Sequence, residues 1–346
     1  MTSRRSRGPT LLVAAAALVL AAGCSSDGSK AAAVAVEQQN LNVAVVPVVD
    51  SAGFFIALYD GLFRAEGLNV HFIPAVSSEF VIDQLVLSKP GSKSELDILC
   101  GGYPSYVEAQ HNWDLGQRPS VSSPGVLAAN LDIFAEGATV APGDGGIYTM
   151  PDSRIRTLAD LKGKTIAINA PGNTVYLLVA AVLAEHGISP SDVHFVTRYN
   201  FPAMAGALKA GKVDAAFLPE PLASAAEEMD GIVMVADTDQ GATTQFATVG
   251  YAVTKAWAAA HPKTLAAFYT ALEEGQEIAD ANRAAVEQAM EDLPVPFDVP
   301  KQVASVMEIP HFPVGVDAAR LQGEVDLMEQ FLQFPSFNIK SMLMGG

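Results

Sequence analysis

Asn169-Ala170-Pro171-Gly172-Asn173-Thr174 joins a strand-like run at residues 164–169 to an apolar helical stretch at 175–186. Backbone N–H groups and the positive end of a helix dipole favour an acceptor or anion at such a junction. The same residues also suit a plain helix cap, because Asn173 or Thr174 can accept from the first turn. Gly101-Gly102-Tyr103 follows a second short strand, 98–100. Glycines there admit close approach of a ligand to backbone, and Tyr103 could wall it; a tight turn is the bland alternative. Glu220-Pro221 follows the strand-like run 214–218. Its carboxylate could accept from an amino group or ring N–H, or answer a helix dipole. Arg198 is the one fixed cation in these neighbourhoods, and it equally suits the surface.

These residues could bind a ligand, and signatures of catalysis are missing. The six histidines are His71, His111, His186, His194, His261 and His311. None pairs at i, i+4 and none neighbours a Cys or Glu in ligand spacing, so neither metal nor cofactor is expected. Gly163-Lys164-Thr165 lacks the glycine a phosphate loop requires five residues earlier, where Leu158 stands, and a strand follows it. No Gly-x-Ser-x-Gly occurs. Cys100 ends an apolar run and reads as a small core hydrophobe rather than a nucleophile.

The chain has 346 residues, with 21 Lys and Arg against 38 Asp and Glu, a net charge of −17. Half of its residues are hydrophobic and 17% are charged, which excludes disorder for the bulk. Its acidity lacks the basic footprint of a nucleic-acid binder. Apolar runs fall short of the ~20 residues a spanning helix needs, so a polytopic membrane protein is excluded. Arg4, Arg5 and Arg7 precede a charge-free stretch at 10–22, which suits a signal peptide. Leu20-Ala21-Ala22-Gly23-Cys24 closes it and resembles a bacterial lipobox, in which cleavage precedes a cysteine that then receives lipid. An ordinary secretory signal is the alternative. Cleavage would leave a net charge of −20, and lipidation of Cys24 would leave Cys100 without a disulfide partner. A core of this size needs none.

The elements that must position the candidate residues alternate. Strand-like runs at 41–49, 68–74, 98–100, 164–169, 193–196, 214–218, 232–236 and 247–253 are separated by helical ones. Among the latter, a helix capped by Ser77 or Ser78 turns Phe80, Val81, Leu85 and Val86 inward. Thr157-Leu158-Ala159-Asp160 has the form of a capping box with Asp at its last position. Beyond residue 255 the period is helical. Alternation of this kind means an α/β fold with a mostly parallel sheet, and length favours two lobes. Ligands of such sheets sit at strand carboxyl ends, here loops 50–54, 101–105, 169–174, 199–201 and 220–221.

Four segments together resemble the ABC-transporter solute-binding proteins that handle nitrate, alkanesulfonates, taurine, bicarbonate and thiamine precursors. They are Phe54-Phe55-Ile56-Ala57-Leu58-Tyr59-Asp60-Gly61-Leu62-Phe63 with Glu66-Gly67-Leu68-Asn69-Val70; the stretch 155–169 around Asp160-Leu161-Lys162-Gly163-Lys164; Ala207-Leu208-Lys209-Ala210-Gly211-Lys212-Val213-Asp214-Ala215-Ala216 leading to Glu220-Pro221; and His261-Pro262-Lys263. The resemblance implies a two-lobed type II periplasmic-binding-protein fold, with the ligand cleft between lobes and the C-terminal helices on lobe one. Residues 1–23 would be the lipoprotein signal, 24–40 a flexible tether, 41–148 and 250–346 lobe one, and 149–249 lobe two. It adds Ser51, Phe54 and Phe246 to the ligand-contact candidates Gly101, Gly102, Tyr103, Asn169, Gly172, Asn173, Thr174 and Glu220. The implied protein is exported, lipid-anchored through Cys24 to the outer face of the cell membrane, and monomeric. It would deliver a small solute to an ABC permease and, through it, an ATPase, without chemistry of its own. An enzyme on the same fold and a transporter-independent sensor are the alternatives.

Overall fold

Short apolar runs bounded by polar turns become strands, and helices cover them. The computed structural model describes residues 35–75, 77–87, 95–117 and 127–344. Residues 1–23 and Cys24 lie outside the described residues. The strands are β1 (Asn40–Val45), β2 (Asn69–Pro74), β3 (Ile98–Gly101), β4 (Leu131–Thr139), β5 (Gly145–Thr149), β6 (Thr165–Ala167), β7 (His194–Val196), β8 (Ala215–Pro219), β9 (Val233–Asp237) and β10 (Ala247–Thr254). They form two five-stranded sheets, ordered β2-β1-β3-β10-β4 and β7-β6-β8-β5-β9.

In each sheet four strands point one way and one points the other. β1 runs parallel to β2 and β3, whereas β10 is antiparallel to β3 and β4. β6 runs parallel to β7 and β8, whereas β5 is antiparallel to β8 and β9. The reversed member is in both cases the strand that has just arrived from the other sheet. The chain therefore passes between lobes twice, at 140–144 and 238–246. These crossings are tied together: Val140 donates to the Phe246 carbonyl at 2.9 Å, and the Thr238 hydroxyl donates to the Gly145 carbonyl at 2.9 Å.

The helices of lobe one are α1 (Ala52–Tyr59), α2 (Leu62–Ala65), α3 (Ser78–Leu87) and α4 (Tyr103–Asp114); those of lobe two are α5 (Thr174–Glu185), α6 (Phe201–Lys209) and α7 (Leu222–Asp230). After β10 come α8 (Lys255–Ala260), α9 (Pro262–Ala281), α10 (Arg283–Glu291), α11 (Lys301–Ala304) and α12 (Ala318–Leu332). Glycine lets α1 and α9 approach closely. A Cβ on Gly275 would stand 2.3 Å from the Gly53 carbonyl oxygen. The Thr157–Asp160 capping box forms around a short 3-10 turn, Leu158–Leu161.

Three expectations change. Phe80 points outward at 46% exposure, because the buried stripe of α3 runs through Val81 and Ile82. Residues 37–40 are docked rather than coiled, since Glu37 accepts from the Lys263 and Thr264 N–H groups that open α9, and Gln38 donates to Asp97. The C-terminal helices do not all stay on lobe one. α12 buries Leu321, Val325 and Met328 against both α4 and α5, so it spans the two lobes. Among the described residues no helix is long and apolar enough to cross a membrane.

Candidate functional site

The carboxyl ends of β1, β3, β6 and β8 converge on a cleft between the lobes. Its inner part is a cavity of about 80 Å³. Lobe one contributes Val46, Val48, Asp50, Ser77, Ser78, Gly102, Thr248 and Val249; lobe two contributes Asn169, Asn173, Thr174, Val175, Leu178, Phe201, Phe217 and Pro219. An adjoining apolar cavity of about 320 Å³ shares Val46 and Phe201 and runs out to Leu222, Met229, Phe297 and Val303. A third depression, of about 470 Å³, shares Asn169 and includes Gly172, Glu79 and Ser105. A larger hollow, about 850 Å³, lies apart, around the Glu136–Arg320 ion pair and the start of α12.

Local hydrogen bonds set the inner lining. Asn173 caps α5 by accepting from the Tyr176 N–H at 3.1 Å, and its amide donates to Asn169 Oδ1 at 2.8 Å. Ser77 caps α3 by accepting from Phe80 N–H at 3.3 Å. The Gly102 N–H donates to Ser78 Oγ at 2.7 Å. Thr174 donates across the cleft to the Thr248 carbonyl at 3.5 Å. Asp50 is half-buried at the cavity floor. Burial pushes its carboxyl above the usual range, against the lowering effect of the nearby Thr248 hydroxyl and its own backbone N–H. Asp144 lies close enough for Asp50 to raise it further, burial being the larger cause.

Gly102, Asn169, Asn173 and Thr174 thus face the inner cavity, and Gly172 the flanking one. The remaining candidates sit elsewhere. Phe54 is fully buried in an aromatic cluster with Phe55 at 5.4 Å and Phe63 at 5.5 Å between ring centroids. Ser51 is fully buried, its Oγ 3.8 Å from Cys100 Sγ. Gly101 lies within β3, backed by Ser78 and Tyr106. Tyr103 turns beneath β10 and donates to the Val249 carbonyl at 3.1 Å. Phe246 is buried at the second crossing.

Glu220 lies beside the cavity rather than in it. It accepts from Ser224 Oγ at 2.7 Å and, across the lobes, from Glu308 N–H at 3.4 Å. Burial raises its carboxyl to about 7. Arg198 lies over the Tyr199 ring at 5.0 Å and lines none of these cavities. Burial pushes the Cys100 thiol to about 12, which removes the thiolate a nucleophile requires. Among the described residues no cluster of His, Cys, Asp and Glu could hold a metal.

Asp50, Ser77, Ser78, Thr248 and Phe201 also line the inner cavity, although the sequence did not single them out as ligand contacts. Asp50 and Phe201 lie in strand-end loops and were findable there. Thr248 lies within a strand, and only the sheet order places it on the cleft.

Two sheets joined by two crossings, with a cavity between them, define the two-lobed fold of periplasmic binding proteins. The alkanesulfonate-binding protein SsuA of Xanthomonas axonopodis pv. citri, solved with MOPS, superposes with a TM-score of 0.70 at 19% identity, covering 89% of this chain and 99% of that one. The nitrate-binding protein NrtA of Synechocystis PCC 6803 gives 0.72 at 15% identity, covering 89% and 85%. A desulfurization enzyme, DszB, shares the fold at 0.59 and 15% identity, covering 87% and 94%. In sequence, a protein of Brachyspira hyodysenteriae named as a periplasmic binding protein of an ABC transporter is 29% identical over 243 residues, 65% of this chain and 61% of that one. Two other relatives are matched over 35% and 53% of their length, so the chain spans about half the length of the curated relatives it matches. Residues 34–291 match the NMT1-like family, and the chain belongs to it.

Proposed function

We propose that the chain is the extracytoplasmic solute-binding component of an ABC importer. The observation that carries this reading is the inner cavity, lined from both lobes at strand carboxyl ends. A solute there contacts both lobes at once, so its binding favours the closed arrangement over an open one. The closed form then docks on a permease, and ATP hydrolysis by a partner subunit drives release. In this reading residues 1–23 direct export, lipidated Cys24 anchors a monomer to the outer face of the membrane, and the chain up to residue 36 is the tether. Relatives named for nitrate, sulfonate and periplasmic binding support the transport role.

Catalysis is the second reading, because DszB shares the fold. It is disfavoured by the inner lining, which among the described residues holds one carboxylate, Asp50, and neither Cys nor His. A thermal-shift screen with nitrate, taurine, alkanesulfonates, bicarbonate and aminopyrimidines discriminates. Ligand at ~100 times its dissociation constant adds ~2.7 kcal/mol to stability. A saturable midpoint rise, with the solute recovered unchanged in mass, is expected. A chemically altered solute would establish the enzyme instead.

A further inference from the structure

The lining of the cleft has one sign of charge. Asp50 stands in the inner cavity, Asp298 in the apolar one, and Glu79 and Glu108 in the flanking one. No Lys, Arg or His lines any of the three among the described residues. An inorganic anion in the inner cavity would face the Asp50 carboxylate in a place shielded from water. Like charges there are costly, and among the described residues no cation in the lining offsets them. The N-terminal end of α5 offers partial positive charge, yet Asn173 already occupies one of its N–H donors. The whole chain adds to the bias, since a net charge of −17 steers cations inward and repels anions.

Shape adds a second constraint. The inner cavity of about 80 Å³ holds only a compact head group. The adjoining cavity of about 320 Å³ is walled by Val46, Phe201, Leu222, Phe297 and Val303, and would take an apolar body. Resting on the solute-binding reading above, we propose that the cleft takes an organic solute whose amine or amidine head meets Asp50 and whose apolar body lies between Phe201 and Phe297, and that it disfavours small inorganic anions.

A matched pair of probes tests the sign of the head with the body held constant. Benzylamine and phenylmethanesulfonate share a ring and methylene and differ in charge. Titration calorimetry on the full chain should show benzylamine binding at least tenfold tighter. Asp50→Asn should weaken benzylamine at least tenfold. Phe297→Ala, at the half-buried outer wall, should weaken benzylamine but leave methylammonium unchanged. Equal or tighter binding of the sulfonate overturns the assignment and leaves solute binding standing. Failure of benzylamine to bind at ten millimolar also overturns it. Solute binding itself falls only if the wider thermal-shift panel is silent as well.

Discussion

The loop after β1 and the loop after β6 leave their strands at corresponding positions in the two sheets, second from the edge and at the carboxyl end. The first, residues 49–54, contains Val49, Ala52 and Phe54 and tucks under lobe one, with only Asp50 turned to the cleft. The second, residues 169–174, contains Asn, Pro, Gly and Thr, and lends Asn169, Asn173 and Thr174 to the cavity. Equivalent topology thus yields different exposure. Strand order selects where a ligand can reach, and side-chain polarity decides which residues face it.

The largest effect that could break this contrast lies in the first loop. Phe54→Ala removes a fully buried ring from a cluster with Phe55, Phe63 and Phe72. Large-to-small changes of this kind cost ~3–5 kcal/mol. Urea unfolding should show that loss, while ligand affinity of the folded variant stays within about twofold. Lost affinity at preserved stability would make Phe54 a ligand contact and erase the distinction between loops.

Much of the fold was legible because strands buried on both faces are written as continuous apolar runs. The segments around Ile98, Ala215 and Ala247 stand out in this way, and all three became strands. Caps were legible for the same local reason: Asn173 and the Thr157–Asp160 pair bind within three residues of themselves. What stayed hidden depends on distant partners. The reversed strands β5 and β10 follow from crossings between sheets, which no local period encodes. Tyr103 looked like a cleft wall, but the Val249 carbonyl 146 residues away draws it inward. The placement of α12 depends likewise on two helices far off in sequence.

Glu220 sharpens the contrast with a mixed case, a polar strand-end residue folded inward like Phe54. Its carboxyl is raised from 4.5 to about 7, chiefly by burial. The native state therefore holds a proton that the unfolded chain has released across that interval. Stability must fall as pH rises from about 4.5 to about 7 and then level off, by on the order of 3 kcal/mol from this group. Glu220→Gln keeps an acceptor for Ser224 and removes the titration. Its unfolding midpoint should match the parent near pH 4.5 and exceed it at pH 8. Parallel pH profiles for the two proteins would mean that Glu220 is solvated and belongs to the cleft.

The smallest effect tests where the lobes touch. Gly102 has φ −77° and ψ 141°, a conformation open to any residue, so backbone freedom does not call for glycine here. Space does. A Cβ at this position would lie 2.4 Å from Thr174 Oγ1 on the opposite lobe. The Thr174 hydroxyl donates to the Thr248 carbonyl at 3.5 Å, so swinging it aside gives up that contact across the cleft. Gly102→Ala should hold the lobes slightly apart and weaken ligand binding about tenfold, ~1.4 kcal/mol. Small-angle scattering of the liganded variant should give a larger radius than the liganded parent. Adding Thr174→Ala removes the obstructing oxygen and should restore most of the affinity, because the next atom on that side chain, Thr174 Cβ, stands at an ordinary 3.6 Å. Unchanged affinity in the single variant would mean that ligand is held without this contact, and that the second loop binds from one lobe alone.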